Sequence, residues 1–163
     1  MGEGVWVCSG LSVGGCEGAG ECVEGYGELD DLEDAISKFK DAVDLTPQNH
    51  PDKPRHLGNL GTSFKVRFER LGKLSDLERA ISTLRDAVDL TPRGHPRKPH
   101  RLNGLGNAFL ARFKRLGELS DLEDAISRHR GAVDLTLHGH PDQLGYLNNL
   151  GNSLITRFKC LGT

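Results

Sequence analysis

The sequence predicts an all-α fold, a solenoid of antiparallel helix-turn-helix repeats, on three observations. The segments "GELDDLEDAI" at 27, "GKLSDLERAI" at 72 and "GELSDLEDAI" at 117 recur every 45 residues, as do "AVDLT" at 42, 87 and 132 and "HP" at 50, 95 and 140. Residues 27–71, 72–116 and 117–161 superpose without a gap, and 21 of their 45 positions hold a single residue type. Self-similarity at such a period is the mark of stacked repeats. Within each unit apolar residues return at helical spacing, and prolines and glycines punctuate the ends.

Six helices are expected, over 29–45, 54–71, 75–90, 99–116, 120–135 and 143–161. The first opens on Asp30 with Glu33, a variant of the capping box, carries Ala35 and Phe39, and stops ahead of Pro47. The second carries Leu57, Leu60, Gly61 and Phe64. In the third, Ser75 and Glu78 have the spacing of a full capping box. Leu77, Ala80, Ile81, Leu84, Ala87 and Val88 form one buried stripe, and Thr91-Pro92 marks the stop. The fourth starts near Pro99, suited to a first helical turn, and runs through Leu102, Leu105, Phe109, Phe113 and Leu116. It ends on Arg112, Lys114 and Arg115 before Gly117, where basic side chains oppose the helix dipole and glycine takes the left-handed cap. The fifth repeats the capping box at Ser120 and Glu123, and the sixth carries Leu147, Leu150, Gly151 and Leu154. Charges at these helix ends read as solvated faces.

The glycines of "GLGNA" at 104–108 raise the question of a phosphate-cradling loop. Gly106 recurs as Gly61 and Gly151, but Gly104 is replaced by Asn59 and Asn149, and no strand precedes it. Gly106 therefore reads as the small residue that lets a neighbouring helix come close, despite its helix-propensity cost.

These residues resemble the tetratricopeptide (TPR) family, whose unit is a helix pair of about 34 residues with a W-x2-L-G-x2-Y, A-x3-F, P pattern. Leu57, Leu60, Gly61, Phe64, Ala80, Leu84 and Pro92 fill one unit, and Leu102, Leu105, Gly106, Phe109, Ala125, His129 and Leu137 the next. Leu147, Leu150, Gly151 and Leu154 open another, while Ala35, Phe39 and Pro47 close an earlier one. The 45-residue period is similar to the longer units of kinesin light chain and of fungal tandem arrays. The excess lies in the first helix, about two turns longer than usual, and in the loop between units. His129 and Leu137 depart from the pattern, so the third unit is expected to pack less regularly. The resemblance implies a right-handed solenoid over 27–163. The segment 1–26, rich in glycine, is expected to be irregular. It also implies that Leu154, Ile155 and Phe158 lack a covering helix, as in a piece of a longer array or a chain with a misassigned start.

Composition excludes several classes. Net charge is -2, which gives no general affinity for nucleic acid or acidic lipid. No 18-residue apolar run exists, and the acidic, glycine-interrupted "MGEGVWVCSGLSVGG" is a poor signal peptide, so a cytoplasmic chain with no membrane partner is expected. Cys8, Cys16, Cys22 and Cys160 match no zinc pattern and read as reduced thiols. Histidines repeated in successive helix pairs stand too far apart to share one ion, so His-Pro reads as a turn and no metal or cofactor is expected. "RGHPRKPHR" at 93–101 is the only basic run; its counterparts lack the charge and no aromatic platform accompanies it, which argues against nucleic acid. The recurring acids are accounted for by helix starts, no nucleophile, base and oxyanion set can be assembled, and no enzyme is predicted.

What remains is a surface. The resemblance implies that the first helix of each unit lines a concave groove for a peptide or another protein's helix. The matching residues are Arg55, Gly58, Thr62, Lys65 and Val66; His100, Asn103, Asn107, Leu110 and Ala111; and Gly145, Asn148, Asn152, Ile155 and Thr156. Asn103 with Asn107, and Asn148 with Asn152, are spaced four apart, and such amides could form a ladder holding a peptide backbone. The expected role is a protein-binding scaffold. Two alternatives are a sensor segment of a peptidase-like or nucleotide-hydrolysing enzyme, and a structural array that associates with itself through its end helices.

Overall fold

The structure, a computed structural model, describes residues 26–161. Six helices follow one another there: α1 (Tyr26–Leu45), α2 (Lys53–Leu71), α3 (Leu74–Asp89), α4 (Lys98–Leu116), α5 (Leu119–Asp134) and α6 (Gln143–Leu161). The expectation for segment 1–26 falls, apart from Tyr26, outside the described residues. No described helix is long and apolar enough to cross a membrane.

Two tight hairpins form the centre, α2 with α3 and α4 with α5, and each passes on to its neighbours through α1 with α2, α3 with α4 and α5 with α6. In addition α2 touches α4 and α4 touches α6, whereas α1, α3 and α5 do not approach one another. The even-numbered helices therefore form the inner layer and the odd-numbered helices the outer one. Leu77, Ile81, Leu84, Leu102, Leu105 and Phe109 build a core shared by α3 and α4, which Ala125 and Tyr146 extend into α5 and α6.

Local chemistry sets the helix ends. Gly72 and Gly117 take left-handed φ values of 67° and 78° and donate their N–H groups to Phe68 O and Phe113 O at 2.7 Å, which turns the chain directly into the next helix. Pro54 and Pro99 sit in first turns, where no helical N–H is needed. At the outer-helix C-termini, Thr46, Thr91 and Thr136 donate from Oγ1 to the carbonyls of Ala42, Ala87 and Ala132 at 2.5, 2.5 and 2.6 Å. α5 stops at Asp134 although Leu137 replaces the proline, so the stop does not depend on that residue.

The capping boxes do not form. α3 and α5 begin one residue earlier than predicted, after Lys73 and Glu118, with no side-chain cap bond, and Asp30 lies inside α1. Each of the two helices begins at the leucine before the serine, Leu74 or Leu119, which leaves Ser75 and Ser120 within the first turn rather than before it.

The α4–α5 hairpin keeps the packing of the α2–α3 hairpin despite the change at His129. His129 occupies the place held by Leu84 in the preceding hairpin, and both are buried. A Cβ on Gly61 would stand 2.7 Å from Leu84 Cγ, and one on Gly106 would stand 2.5 Å from His129 Cδ2. The shared glycine is thus the close-approach residue of each hairpin.

Candidate functional site

Packing turns one face of the inner helices toward solvent, and the predicted binding residues fall on it unevenly. Arg55, Gly58, Thr62 and His100 come together in a cleft of about 90 Å³ between α2 and α4, floored by Leu84 and completed by Asn59, Arg97, Arg101 and Gly104. Arg55 is matched by Asp52, its Nε 3.2 Å from Oδ1. Arg101 is buried and donates from Nη1 to Thr91 Oγ1 at 2.7 Å. Burial, and then the neighbouring Arg97, hold its guanidinium below the ordinary arginine value. No described carboxylate pairs with Arg97, His100 or Arg101, so the cleft carries uncompensated positive charge.

The basic run at 93–101 is divided by the turn it forms. Arg97, His100 and Arg101 line the cleft, whereas Lys98 Nζ turns back and donates to Val88 O and Thr91 O at 2.6 and 2.7 Å, capping α3. Lys53 caps α1 the same way, on Val43 O and Thr46 O at 2.7 and 2.8 Å. The His-Pro histidines serve the turns themselves: Nδ1 of His50, His95 and His140 accepts the N–H of Asp52, Arg97 and Asp142 at 3.1, 3.1 and 3.2 Å.

The four asparagines do not make one free ladder. Asn107 Oδ1 lies 3.1 Å from His129 Nε2, and Asn103 Oδ1 accepts from Asn149 Nδ2 at 2.9 Å. His129 Nδ1 lies 2.9 Å from Ser153 Oγ, which also lies 3.0 Å from Asn149 O; the neutral ring donates from Nε2 to Asn107 and accepts the Ser153 hydroxyl proton at Nδ1. This network joins α4, α5 and α6, and burial lowers the His129 pKa despite the Asn103 backbone contact that opposes it. Asn148 and Asn152 remain exposed, as does Ile155, while Lys65 and Leu110 are half-buried.

Two comparisons return nothing: no protein-family model matches this chain, and neither does any curated protein. A search of solved structures does match. A crystal structure from Podospora anserina, described as nearly identical TPR-like repeats of a kinesin light chain, aligns with a TM-score of 0.62 over 84% of this chain at 14% identity. The fold is TPR-like. This chain spans 62% of that structure's length.

Within the TPR-like frame, one feature escaped sequence reading. Arg67 holds Asp76 through two bonds, Nη2 to Oδ1 at 2.6 Å and Nε to Oδ2 at 2.9 Å, and Arg112 holds Asp121 at the same distances. Both aspartates are buried, and their hydrogen bonds raise the pKa of each guanidinium. These acids are clasps inside the TPR-like hairpins rather than solvated helix starts. The signal was present as an Arg and an Asp nine residues apart at 67 and 76 and again at 112 and 121, a spacing that is not a contact until the helices fold back.

Proposed function

We propose that this TPR-like chain is a noncatalytic, cytoplasmic protein-interaction scaffold. It holds a peptide segment or a helix along α2, α4 and α6 and anchors an acidic side chain of that partner between Arg97, His100 and Arg101. The observation that carries this reading is the cleft itself, which combines unpaired guanidinium charge with Arg55 and Thr62 on a solvent-facing surface. At about 90 Å³ it is far smaller than the ~300 Å³ at which small-molecule sites begin, and it suits one side chain. Arginine's planar donors suit a carboxylate. Lys65, Leu110, Asn148, Asn152 and Ile155 extend the surface along the inner helices.

Selection of a random displayed peptide library on the full chain tests the reading. Asp and Glu should be enriched at one position of the selected peptides, binding should weaken with added salt, and Arg97→Glu should reduce affinity about tenfold or more. Selected peptides without an acidic position, or equal binding by Arg97→Glu, would discard it.

A further inference from the structure

Among the described residues, the first and the last helix each leave one face without a neighbouring helix. In each central hairpin an inner helix receives an outer helix through three repeated contacts: the Arg–Asp clasp, a glycine against the side chain at the centre of the outer helix, and an inner-helix phenylalanine beneath it. Arg67–Asp76 and Gly61–Leu84 make this seam between α2 and α3. Arg112–Asp121, Gly106–His129 and Phe113, only 8% exposed, make it between α4 and α5.

α6 is an inner helix with the same three elements and no outer helix on them among the described residues. Gly151 has nothing within 4 Å of its Cβ position, Phe158 is 78% exposed, and Arg157 meets only Glu123, at 3.3 Å. Among the described residues α1, an outer helix, packs on α2 alone. Asp31, at the repeat position of the buried Asp76 and Asp121, is exposed and has no described partner. Leu32, Ala35, Phe39 and Ala42 are only half-buried, where Leu77, Ala80, Leu84 and Ala87 are buried completely.

We infer that α6 of one molecule receives α1 of a second copy, continuing the stack head to tail. Arg157 would clasp the second copy's Asp31, and its Phe39 would lie over Gly151, at the repeat positions of Arg112–Asp121 and of His129 over Gly106. Charge sign, glycine and apolar side chains all match, and the seam repeats one already built twice within the chain. Such a contact joins two different patches, so it leaves one of each free and grows past a dimer.

Sedimentation velocity of the full chain over about a hundredfold range of concentration tests this. The wild type should show a weight-average mass that rises without a plateau at two copies. Asp31→Arg and Phe158→Lys each alter an exposed residue and should each, alone, weaken association tenfold or more while circular dichroism stays unchanged. Mixed in equal amounts, the two variants should form a heterodimer and nothing larger, because each supplies one intact end. A wild type that stays monomeric throughout overturns the inference. So does association that Phe158→Lys abolishes and Asp31→Arg leaves intact, which would mean that α6 pairs with itself, and so does a mixture that remains monomeric.

Discussion

His129 stands where a repeat built for aliphatic packing would have leucine, and its imidazole is satisfied by Asn107 and Ser153. The unfolded chain titrates this residue near its ordinary value of 6.5, while burial lowers the value in the fold. As pH falls the unfolded state therefore binds the proton first. The stability that the neutral ring contributes is complete above 6.5 and is lost as pH descends from there through the folded value. Urea midpoints should drop between about pH 7.5 and about pH 5.5, and His129→Leu should flatten that dependence. The glycine facing it gives a second test. Gly106→Ala would place a Cβ against His129 and 3.2 Å from Ala125 O, where overpacking costs about 1 to 3 kcal/mol against a helix-propensity gain of about 1. Gly151→Ala meets nothing, so in dilute solution it should stabilise by up to about 1 kcal/mol in urea denaturation.

At the scale of the element, each outer helix needs its last carbonyls satisfied, and α1 and α3 use a lysine from the next helix for this. α5 has Gln143 at that place, whose Oε1 instead accepts from Gly139 N at 3.1 Å. Lys98→Met keeps the aliphatic stem and removes two charged hydrogen bonds, so thermal and urea unfolding should report a loss of about 2 kcal/mol. Gln143→Lys should supply α5 with the missing cap and stabilise by about 0.5 to 1 kcal/mol. The lysines are visible in "DKP" and "RKP", the second inside the basic run at 93–101, but nothing in the sequence marks them as caps, because their acceptors lie seven and ten residues earlier at the end of another helix.

On the scale of the whole described region, the helices form a linear stack in which each packs chiefly on its immediate neighbours. Among the described residues α3 and α4 are covered on both sides and carry most of the core, whereas α1 and α6 are covered on one. Amide hydrogen exchange at low concentration should therefore be slowest in the middle of α3 and α4 and fastest in α1 and α6. If copies stack head to tail, raising the concentration should slow exchange in the two end helices and leave α3 unchanged.

Sequence alone was enough for the repeat, the six helices, the glycine turn at Gly117 and the close-approach role of Gly106, because each rests on spacing along one helix or on backbone freedom at one residue. The cleft did not lie in one stretch: Arg55 and Thr62 are on α2 while Arg97 and His100 belong to the next turn and helix. The clasps at Asp76 and Asp121 and the His129 network likewise exist only after hairpins bring distant residues together. Periodicity records which face of a helix is apolar; which helix covers that face, and which charges are thereby buried, is decided by packing.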